Sequence, residues 1–376
     1  MRRYECLEWL ASEIGDDGLV VANSGSSSRQ WAHLRPSDGN LLSAGVGLVL
    51  PISLGLALAL PHRRVLALEG DGSALMSASA LAVLGTTRPG NLLVVAFDNE
   101  AYMEGAKWPT ATARGVDLAG MAAAAGVSQA RVVRSLAELR EAVRAHDPSG
   151  GPGYVVAKID SHEDPVPSDP RDMREAKYHF ARHIQASEGK PLLRPASGSG
   201  AGRQEPPAAS GDFAGAVLAG LQRAELDCVV SLPTTEFLPV LARCREAPDL
   251  LHVEVSNEGD GAAICAGAWL GGRRAALIVE NHGLLLASYA LTRCQATFGI
   301  PTVLIVSYRG HFDERFWWFN EVGRVTEPLL AALGIPTRVV YRADEIVPAI
   351  VGAARSAQTF LRPYAVALTT EITGAL

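Results

Sequence analysis

Aromatic residues are scarce in this chain, at 6% of its 376 residues, and much of its apolar content is alanine, valine and leucine. Such a composition suits helices that pack on a parallel sheet. A strong excess of positive charge is also lacking. The net charge of -6 gives no reason to expect a nucleic acid or an anionic membrane as a partner. The charged and hydrophobic fractions, 20% and 48%, are ordinary for a globular protein.

Cysteines are few, and none of them forms a Cys-x-x-Cys pair. This pattern predicts buried, reduced thiols and a reducing compartment. The five are Cys6, Cys228, Cys244, Cys265 and Cys294. Long apolar runs are lacking as well, because the stretch 46–60 is too short to span a bilayer and contains Pro51 and Gly55. No apolar core follows the first arginines, so we expect no signal peptide and a cytoplasmic protein.

Apolar runs alternate with helical patterns along the first half of the chain. Runs typical of strands lie at 19–22, 64–68, 92–97 and 154–159, and helical patterns lie between them at 49–60, 77–84 and 117–125. The same alternation returns after residue 212. This order predicts the α/β class, with two mostly parallel sheets that carry helices on both faces.

A stretch rich in glycine, proline and serine separates the two halves. It covers 187–211 and shows no periodicity, which is typical of a flexible linker. The sequence therefore predicts a first domain at 1–186 and a second at 212–376.

Glycines and an aspartate end one strand of the first half. The segment is Gly70-Asp71-Gly72-Ser73, and Asn99 ends the next strand. Since ligands of open α/β sheets bind at the carboxyl ends of strands, we expect Asp71 and Asn99 to lie side by side. Carboxylate, amide and carbonyl oxygens suit Mg²⁺ or Ca²⁺ that also holds a diphosphate, and glycines let backbone amides approach phosphate. Gly-Asp-Gly alone is also common as a plain turn.

A glutamate opens a helix of small residues in the second half. Glu258 follows a predicted strand and precedes a run of alanine and glycine up to Gly267. One interpretation is a carboxylate that is stabilised by the helix dipole. The other is a catalytic carboxyl.

Together these motifs resemble those of thiamine-diphosphate-dependent enzymes that act on 2-oxo acids, and most nearly the two-domain sulfopyruvate and phosphonopyruvate decarboxylases. The resemblance covers both halves outside the linker. It is carried by Ser24-Gly25-x-x-Ser28-Arg29, Ala44-Gly45-Val46-Gly47, Gly70-Asp71-Gly72-Ser73, Asp98-Asn99-Glu100-Ala101-Tyr102 and Glu258-x8-Gly267.

The resemblance implies a diphosphate-binding domain first and a pyrimidine-binding domain second. It implies thiamine diphosphate and Mg²⁺ as cofactors, with Asp71, Asn99 and the carbonyl of Ala101 as metal ligands. Glu258 would activate the cofactor's ring. The implied reaction is decarboxylation of a 2-oxo acid through a C2 carbanion and an enamine, which would make the protein a lyase. The implied cofactor-binding residues are Ser24, Gly25, Ser28, Ala44, Gly45, Val46, Gly70, Gly72, Ser73 and Tyr102.

The resemblance also implies a homodimer or homotetramer whose site lies at a domain or subunit interface. No nucleic-acid or membrane partner is expected.

The resemblance weakens at the residues expected to contact the substrate. Asn281 and His282 stand in a changed segment, and His282 is either a proton donor or a hydrogen-bonded loop histidine. Arg309 is a candidate for holding a substrate anion. Trp317 and Trp318 either line a roomy substrate pocket or cover a dimer interface.

Four hypotheses compete at this stage. The first is a decarboxylase for a small anionic 2-oxo acid. The second is a carboligase, an acyloin synthase that joins a bulky or aromatic 2-oxo acid to a second carbonyl compound. A non-catalytic scaffold is the third, and intact Asp71, Asn99 and Glu258 argue against it. A Rossmann-type nucleotide binder is the fourth, and the Gly-x-Gly-x-x-Gly pattern that it needs after an early strand is lacking.

Overall fold

A computed structural model describes residues 1–102, 108–162, 164–167, 173–190, 192, 212–312 and 314–374. The chain divides into two compact units, Met1–Lys190 and Pro191–Leu376. The division falls inside the predicted linker. Ser187 and Glu188, which the linker prediction included, end a helix, and Glu188 forms an ion pair with Arg63 at 2.8 Å. The rest of the predicted linker, apart from 189, 190 and 192, lies outside the described residues.

Unit 1 is built on a six-stranded parallel sheet with a separate two-stranded ribbon. Its strands are β1 Leu19–Asn23, β2 Asn40–Ala44, β3 Val65–Gly70, β4 Leu92–Asp98, β5 Ala101–Tyr102, β6 Trp108–Pro109, β7 Gln129–Val133 and β8 Gly153–Lys158. The sheet order is β2-β1-β3-β4-β8-β7, and β5 pairs antiparallel with β6. The helices are α1 Arg3–Glu13, α2 Ser26–Leu34, α3 Val49–Ala59, α4 Asp71–Met76, α5 Ala80–Thr87, α6 Leu118–Ala124, α7 Leu136–Arg144 and α8 Met173–Glu188.

Unit 2 repeats the architecture with a second six-stranded parallel sheet. Its strands are β9 Cys228–Ser231, β10 Leu251–Glu254, β11 Ala275–Glu280, β12 Val303–Tyr308, β13 Thr337–Val340 and β14 Tyr364–Thr369, in the order β10-β9-β11-β12-β14-β13. The helices are α9 Phe213–Arg223, α10 Leu238–Glu246, α11 Glu258–Leu270, α12 Asn281–Ala290, α13 Asn320–Ala332, α14 Ile346–Phe360 and α15 Thr370–Thr373.

Burial explains why the central strands are largely apolar. All seven residues of β4 and the first five of β3 and β11 are buried, as expected where helices cover both faces of a sheet. α3 is buried on nearly every side, which matches its lack of polar positions. The five cysteines are buried and free, as predicted. No helix among the described residues has the length and apolar character needed to cross a membrane.

Two differences from the predicted elements matter for the site. The predicted helix 77–84 corresponds to α5, which begins at Ala80, and a separate short helix that was not predicted, α4, begins directly at Asp71. α12 begins at Asn281, directly after β11, so His282 lies in a helical first turn. The interpretation of His282 as a loop residue is therefore wrong. Edge strand β7 was missed because two of its first four residues are exposed and the other two are only partly buried.

Candidate active site

The carboxyl ends of β3 and β4 place two carboxylates at one edge of the unit 1 sheet. The two strands are parallel neighbours, with Gly70 opposite Phe97, so Asp71 and Asp98 follow from adjacent positions. Both side chains are buried, at 4% and 2% exposure. Thr112 connects them, because its hydroxyl lies 2.8 Å from Asp98 Oδ1 and 3.3 Å from Asp71 Oδ2.

Burial is the main cause that raises the pKa of the Asp71 carboxyl. The nearby Asp98 charge acts in the same direction, whereas the Thr110 hydroxyl, which donates to Asp71 Oδ2 at 2.7 Å, opposes it. Lys158 lies on the other side of Asp98, with its Nζ 2.7 Å from Oδ2. Lys158 thus balances part of the charge of two buried carboxylates, and a divalent cation would stabilise such an arrangement. Sequence reasoning missed Thr112, which no motif marked.

Asn99 and Ala101 follow β4 in a tight turn. Asn99 Oδ1 accepts a hydrogen bond from the Ala101 amide at 3.3 Å, and Glu100 between them has a left-handed φ of 60°. The Glu100 amide donates to Asp98 Oδ1 at 3.0 Å. A side-chain amide oxygen and a backbone carbonyl are therefore held within three residues of Asp98. Hard oxygen donors of these types suit Mg²⁺.

β1 ends at Asn23, an asparagine that is not among the predicted cofactor-binding residues. Asn23 Oδ1 is buried and has no hydrogen-bond partner within the described chain. Its Nδ2 lies against Gly70, where an added Cβ would come within 3.3 Å of it. Gly25 has a φ of 103°, which favours glycine. Ser28, predicted to touch a diphosphate, instead donates to the Asn23 carbonyl at 2.7 Å and accepts from the Ser43 amide at 2.8 Å.

The segment after β2 presents an apolar side chain beside a left-handed glycine. Val46 is 36% exposed, although it precedes the buried helix α3. The Gly47 amide donates to Ser73 Oγ at 2.7 Å, which ties this segment to α4. The Ala44 carbonyl accepts from the Ser24 amide at 2.9 Å, and the Gly45 carbonyl from the Leu48 amide at 3.0 Å.

Gly72 cannot carry a side chain in this arrangement. A Cβ there would lie 2.3 Å from Cε1 of Tyr102, whose ring is 40% exposed. The predicted cofactor residues are thus arranged around the carboxyl ends of β1, β2, β3 and β4. A buried oxygen without a partner, two linked carboxylates and close-packed glycines fit a diphosphate with its cation.

Glu258 opens α11 in unit 2. Asn257 caps this helix, because its Oδ1 accepts from the Gly259 amide at 2.8 Å and the Asp260 amide at 3.3 Å. Glu258 is 6% exposed. Burial is the main cause that raises the pKa of its carboxyl, and the charge of Glu280 acts in the same direction. A raised pKa favours the protonated carboxyl, the form that can donate a hydrogen bond to a ring nitrogen.

Gly283 in the first turn of α12 makes room for the Glu258 side chain. A Cβ at position 283 would lie 2.4 Å from Cγ and 2.6 Å from Oε1 of Glu258. The next residue back, His282, places its Nδ1 2.5 Å from Glu280 Oε1, and its ring centroid 5.4 Å from that of Phe319. Glu258 and His282 therefore belong to one neighbourhood.

Asn281 connects the ends of two strands instead of presenting its amide outward. Its Nδ2 donates to the Arg309 carbonyl and to Thr326 Oγ1, each at 2.8 Å, and its Oδ1 accepts from the Arg309 amide at 3.3 Å. The side chain is 1% exposed. The structure thus gives this predicted substrate residue a positioning role beside Arg309.

Arg309 is enclosed by carboxylates. Its Nε and Nη2 donate to the two oxygens of Glu314 at 2.8 and 2.9 Å, and its Nη1 donates to Glu236. The guanidinium carbon lies 3.7 Å from the ring centroid of Phe319. The guanidinium that we predicted to hold a substrate anion is therefore already paired with two carboxylates of the protein.

Trp317 and Trp318 lie on a 3-10 turn before α13 and are 82% and 51% exposed. Phe316 stacks on Trp318 with ring centroids 4.7 Å apart. The aromatic segment 316–319 thus extends outward from His282 and Arg309.

We expect Glu314→Gln to destabilise the protein by about 1 kcal/mol at neutral pH, since it removes a charged acceptor from a buried guanidinium. The Arg309 side chain lowers the pKa of the Glu314 carboxyl from 4.5 to about 2. Its contribution is therefore complete above pH 4.5 and is lost as the pH falls toward 2. Urea midpoints should converge for wild type and variant as the pH falls below about 4.5.

The exposed Glu321→Gln variant is the control for that measurement, and it should leave the midpoint nearly unchanged. A Glu314→Gln effect that stayed constant with pH would contradict the assigned ion pair.

Two parallel α/β units, one with a diphosphate-type acidic edge and the other with a buried glutamate at a helix start, define a cofactor-dependent enzyme class. The comparisons with known proteins agree. The family described as "Thiamine pyrophosphate enzyme, C-terminal TPP binding domain" matches residues 23–157. The beta subunit of sulfopyruvate decarboxylase from Methanococcus maripaludis is 31% identical over 186 residues, which cover 49% of this chain and 98% of that subunit.

The alpha subunit of the same archaeal enzyme is 31% identical over 143 residues, which cover 38% of this chain and 86% of that subunit. Among solved structures, transketolase from Campylobacter jejuni has a similar fold, with a TM-score of 0.66 at 12% identity over 97% of this chain and 73% of that one. The chain belongs to the family of thiamine-diphosphate-dependent enzymes that includes the sulfopyruvate decarboxylases. The predicted family and fold class are thereby confirmed.

Proposed function

We propose that this enzyme decarboxylates a 2-oxo acid with thiamine diphosphate and Mg²⁺. The observation that carries the proposal is Glu258, a buried carboxyl with a raised pKa at the start of α11. The sulfopyruvate decarboxylase subunits among its relatives support the same reaction type. When bound, thiamine diphosphate supplies a thiazolium ring that accepts the electron pair released as CO₂ leaves.

Unit 1 residues have the donor types that hold the cation and the diphosphate. Asp71 and Asn99, with the Ala101 carbonyl, are the proposed Mg²⁺ ligands, and Thr110 orients Asp71 through its 2.7 Å hydrogen bond. The amides near Gly72 and Ser73 open α4, where the helix N-terminus favours a phosphate.

Residues of unit 2 are the proposed proton donors. Glu258 would donate a hydrogen bond from its carboxyl to the pyrimidine nitrogen of the cofactor. His282 is the proposed donor of a proton to the product, and Glu280 holds its Nδ1, which leaves Nε2 for the transfer.

We further propose a homodimer or homotetramer. Mixing the Asp71→Asn and Glu258→Gln proteins tests it, because activity regained in the mixture requires that different chains cooperate.

The test is to load the purified protein with thiamine diphosphate and Mg²⁺ and to offer it sulfopyruvate, phosphonopyruvate, pyruvate, phenylpyruvate and indolepyruvate. CO₂ release and product mass are recorded with and without an acceptor aldehyde. An aldehyde product supports the decarboxylase, and a coupled product identifies the carboligase instead. The proposal fails if no acid releases CO₂.

We expect Gly283→Ala to lower kcat by roughly 100-fold while cofactor affinity changes little. The added Cβ would overlap the Glu258 side chain, and a displacement of about 1 Å at a reacting group costs about that factor. Steady-state kinetics and calorimetric cofactor titration measure the two effects. Gly352→Ala is the matched control, because its Cβ would meet nothing within 4 Å. Equal kcat values for both variants would refute the assigned contact.

A further inference from the structure

Arg309 lies in the same neighbourhood as the catalytic glutamate. β12 is the parallel neighbour of β11, and the Arg309 backbone is bonded to Asn281 at the start of α12. The Phe319 ring contacts the Arg309 guanidinium on one side and the His282 ring on another. The groups around Arg309 therefore contribute to the environment in which His282 acts.

The guanidinium and its two carboxylates form a buried cluster with a net negative charge. The side chains of Arg309, Glu236 and Glu314 are 5%, 3% and 7% exposed. Glu314 holds the guanidinium through two parallel hydrogen bonds, the strongest geometry for this pair. One positive charge thus faces two carboxylates.

One carboxylate oxygen of Glu236, Oε2, is buried and accepts no hydrogen bond within the described chain. A sulfonate or a fully ionised phosphonate brings further acceptors and negative charge to such a cluster. Because two like charges in a buried place repel each other strongly, an anionic group would have to displace Glu314 before it could reach Arg309.

The surfaces next to this cluster are aromatic. Phe319 covers one face of Arg309, and Phe316, stacked on Trp318, lies 5.7 Å from the guanidinium carbon. Aromatic faces of this kind favour apolar or aromatic groups.

We propose that the Arg309, Glu236 and Glu314 cluster excludes anionic side chains, so that this enzyme selects 2-oxo acids whose side chain is uncharged and largely apolar. This inference rests on the proposed function. It assigns Glu236 and Glu314 as specificity-determining residues. It also distinguishes the substrate of this chain from the sulfopyruvate for which its relatives are named.

The experiment compares kcat/KM for phenylpyruvate and indolepyruvate with kcat/KM for sulfopyruvate and phosphonopyruvate in the holoenzyme. We expect the two acids with uncharged side chains to be preferred by about tenfold or more in the wild type. Glu314→Gln should reduce that preference by about tenfold, because it removes one negative charge and leaves one guanidinium donor without its acceptor. Glu236→Gln leaves the bond between Arg309 and Glu314 in place and should reduce the preference in the same direction.

Glu321→Gln is the control, since its exposed pair with Arg324 lies outside the cluster. Calorimetry with sulfoacetate gives a second readout that needs no turnover. Binding should be weak in the wild type and tighter in Glu314→Gln. A wild-type preference for sulfopyruvate, or a preference unchanged in both cluster variants, overturns the inference and leaves decarboxylation intact. If no acid releases CO₂, the proposed function fails, and sulfoacetate binding still decides whether the cluster excludes anions.

Discussion

Glu258→Gln is expected to lower kcat by about 100-fold to 10,000-fold, the range for loss of a positioned acid-base group. Glutamine keeps the length and shape of the side chain, so the contact with Gly283 and the cap by Asn257 remain. It cannot gain or lose the proton that the raised pKa of the Glu258 carboxyl makes available. Thiamine diphosphate affinity should change much less than kcat.

Rapid-quench or steady-state assays of CO₂ release measure the first effect, and calorimetric titration with thiamine diphosphate and Mg²⁺ measures the second. The exposed Glu321→Gln protein controls for a change of one charge. A Glu258→Gln protein with near wild-type kcat would mean that another group activates the cofactor.

Asp71→Ala is expected to weaken Mg²⁺-dependent binding of thiamine diphosphate by at least about 100-fold. The change removes a proposed metal ligand and leaves the Thr110 hydroxyl without its carboxylate partner, while Thr112 keeps its bond to Asp98. In the wild type, saturating cofactor at about 100 times its dissociation constant should add about 2.7 kcal/mol of stability. That stabilisation should nearly vanish in the variant.

Thermal unfolding with and without thiamine diphosphate and Mg²⁺ gives the result directly. Asp16→Asn, on the exposed surface of unit 1, is the control for a lost carboxylate. If cofactor stabilised the Asp71→Ala protein as much as the wild type, the proposed metal site would be wrong. Loss of stabilisation only in the presence of Mg²⁺ would support it most strongly.

Local pattern was enough to predict the two sheets and one edge of the site. β3, β4, β11 and β12 are apolar runs because both faces are covered, and this burial is visible in composition alone. Parallel neighbours end at one edge, so the position of Asp71 after β3 followed from the strand pattern. Helix starts were harder to predict from the sequence. The first turn of α12, for example, carries the polar residues Asn281 and His282, which do not continue an apolar helical pattern.

The sequence by itself determined the family, the α/β class, the two halves and the residue types of the cofactor motifs, because these depend on short-range pattern and on resemblance. Only the tertiary structure decided which side chains are free to act. Arg309 pairs with Glu236, which lies 73 residues away in the chain. Glu258 contacts Gly283 because the sheet order β10-β9-β11 brings the helices that follow β10 and β11 together. Contacts between residues so far apart in the chain exist only once the sheet has formed, so no local pattern encodes them.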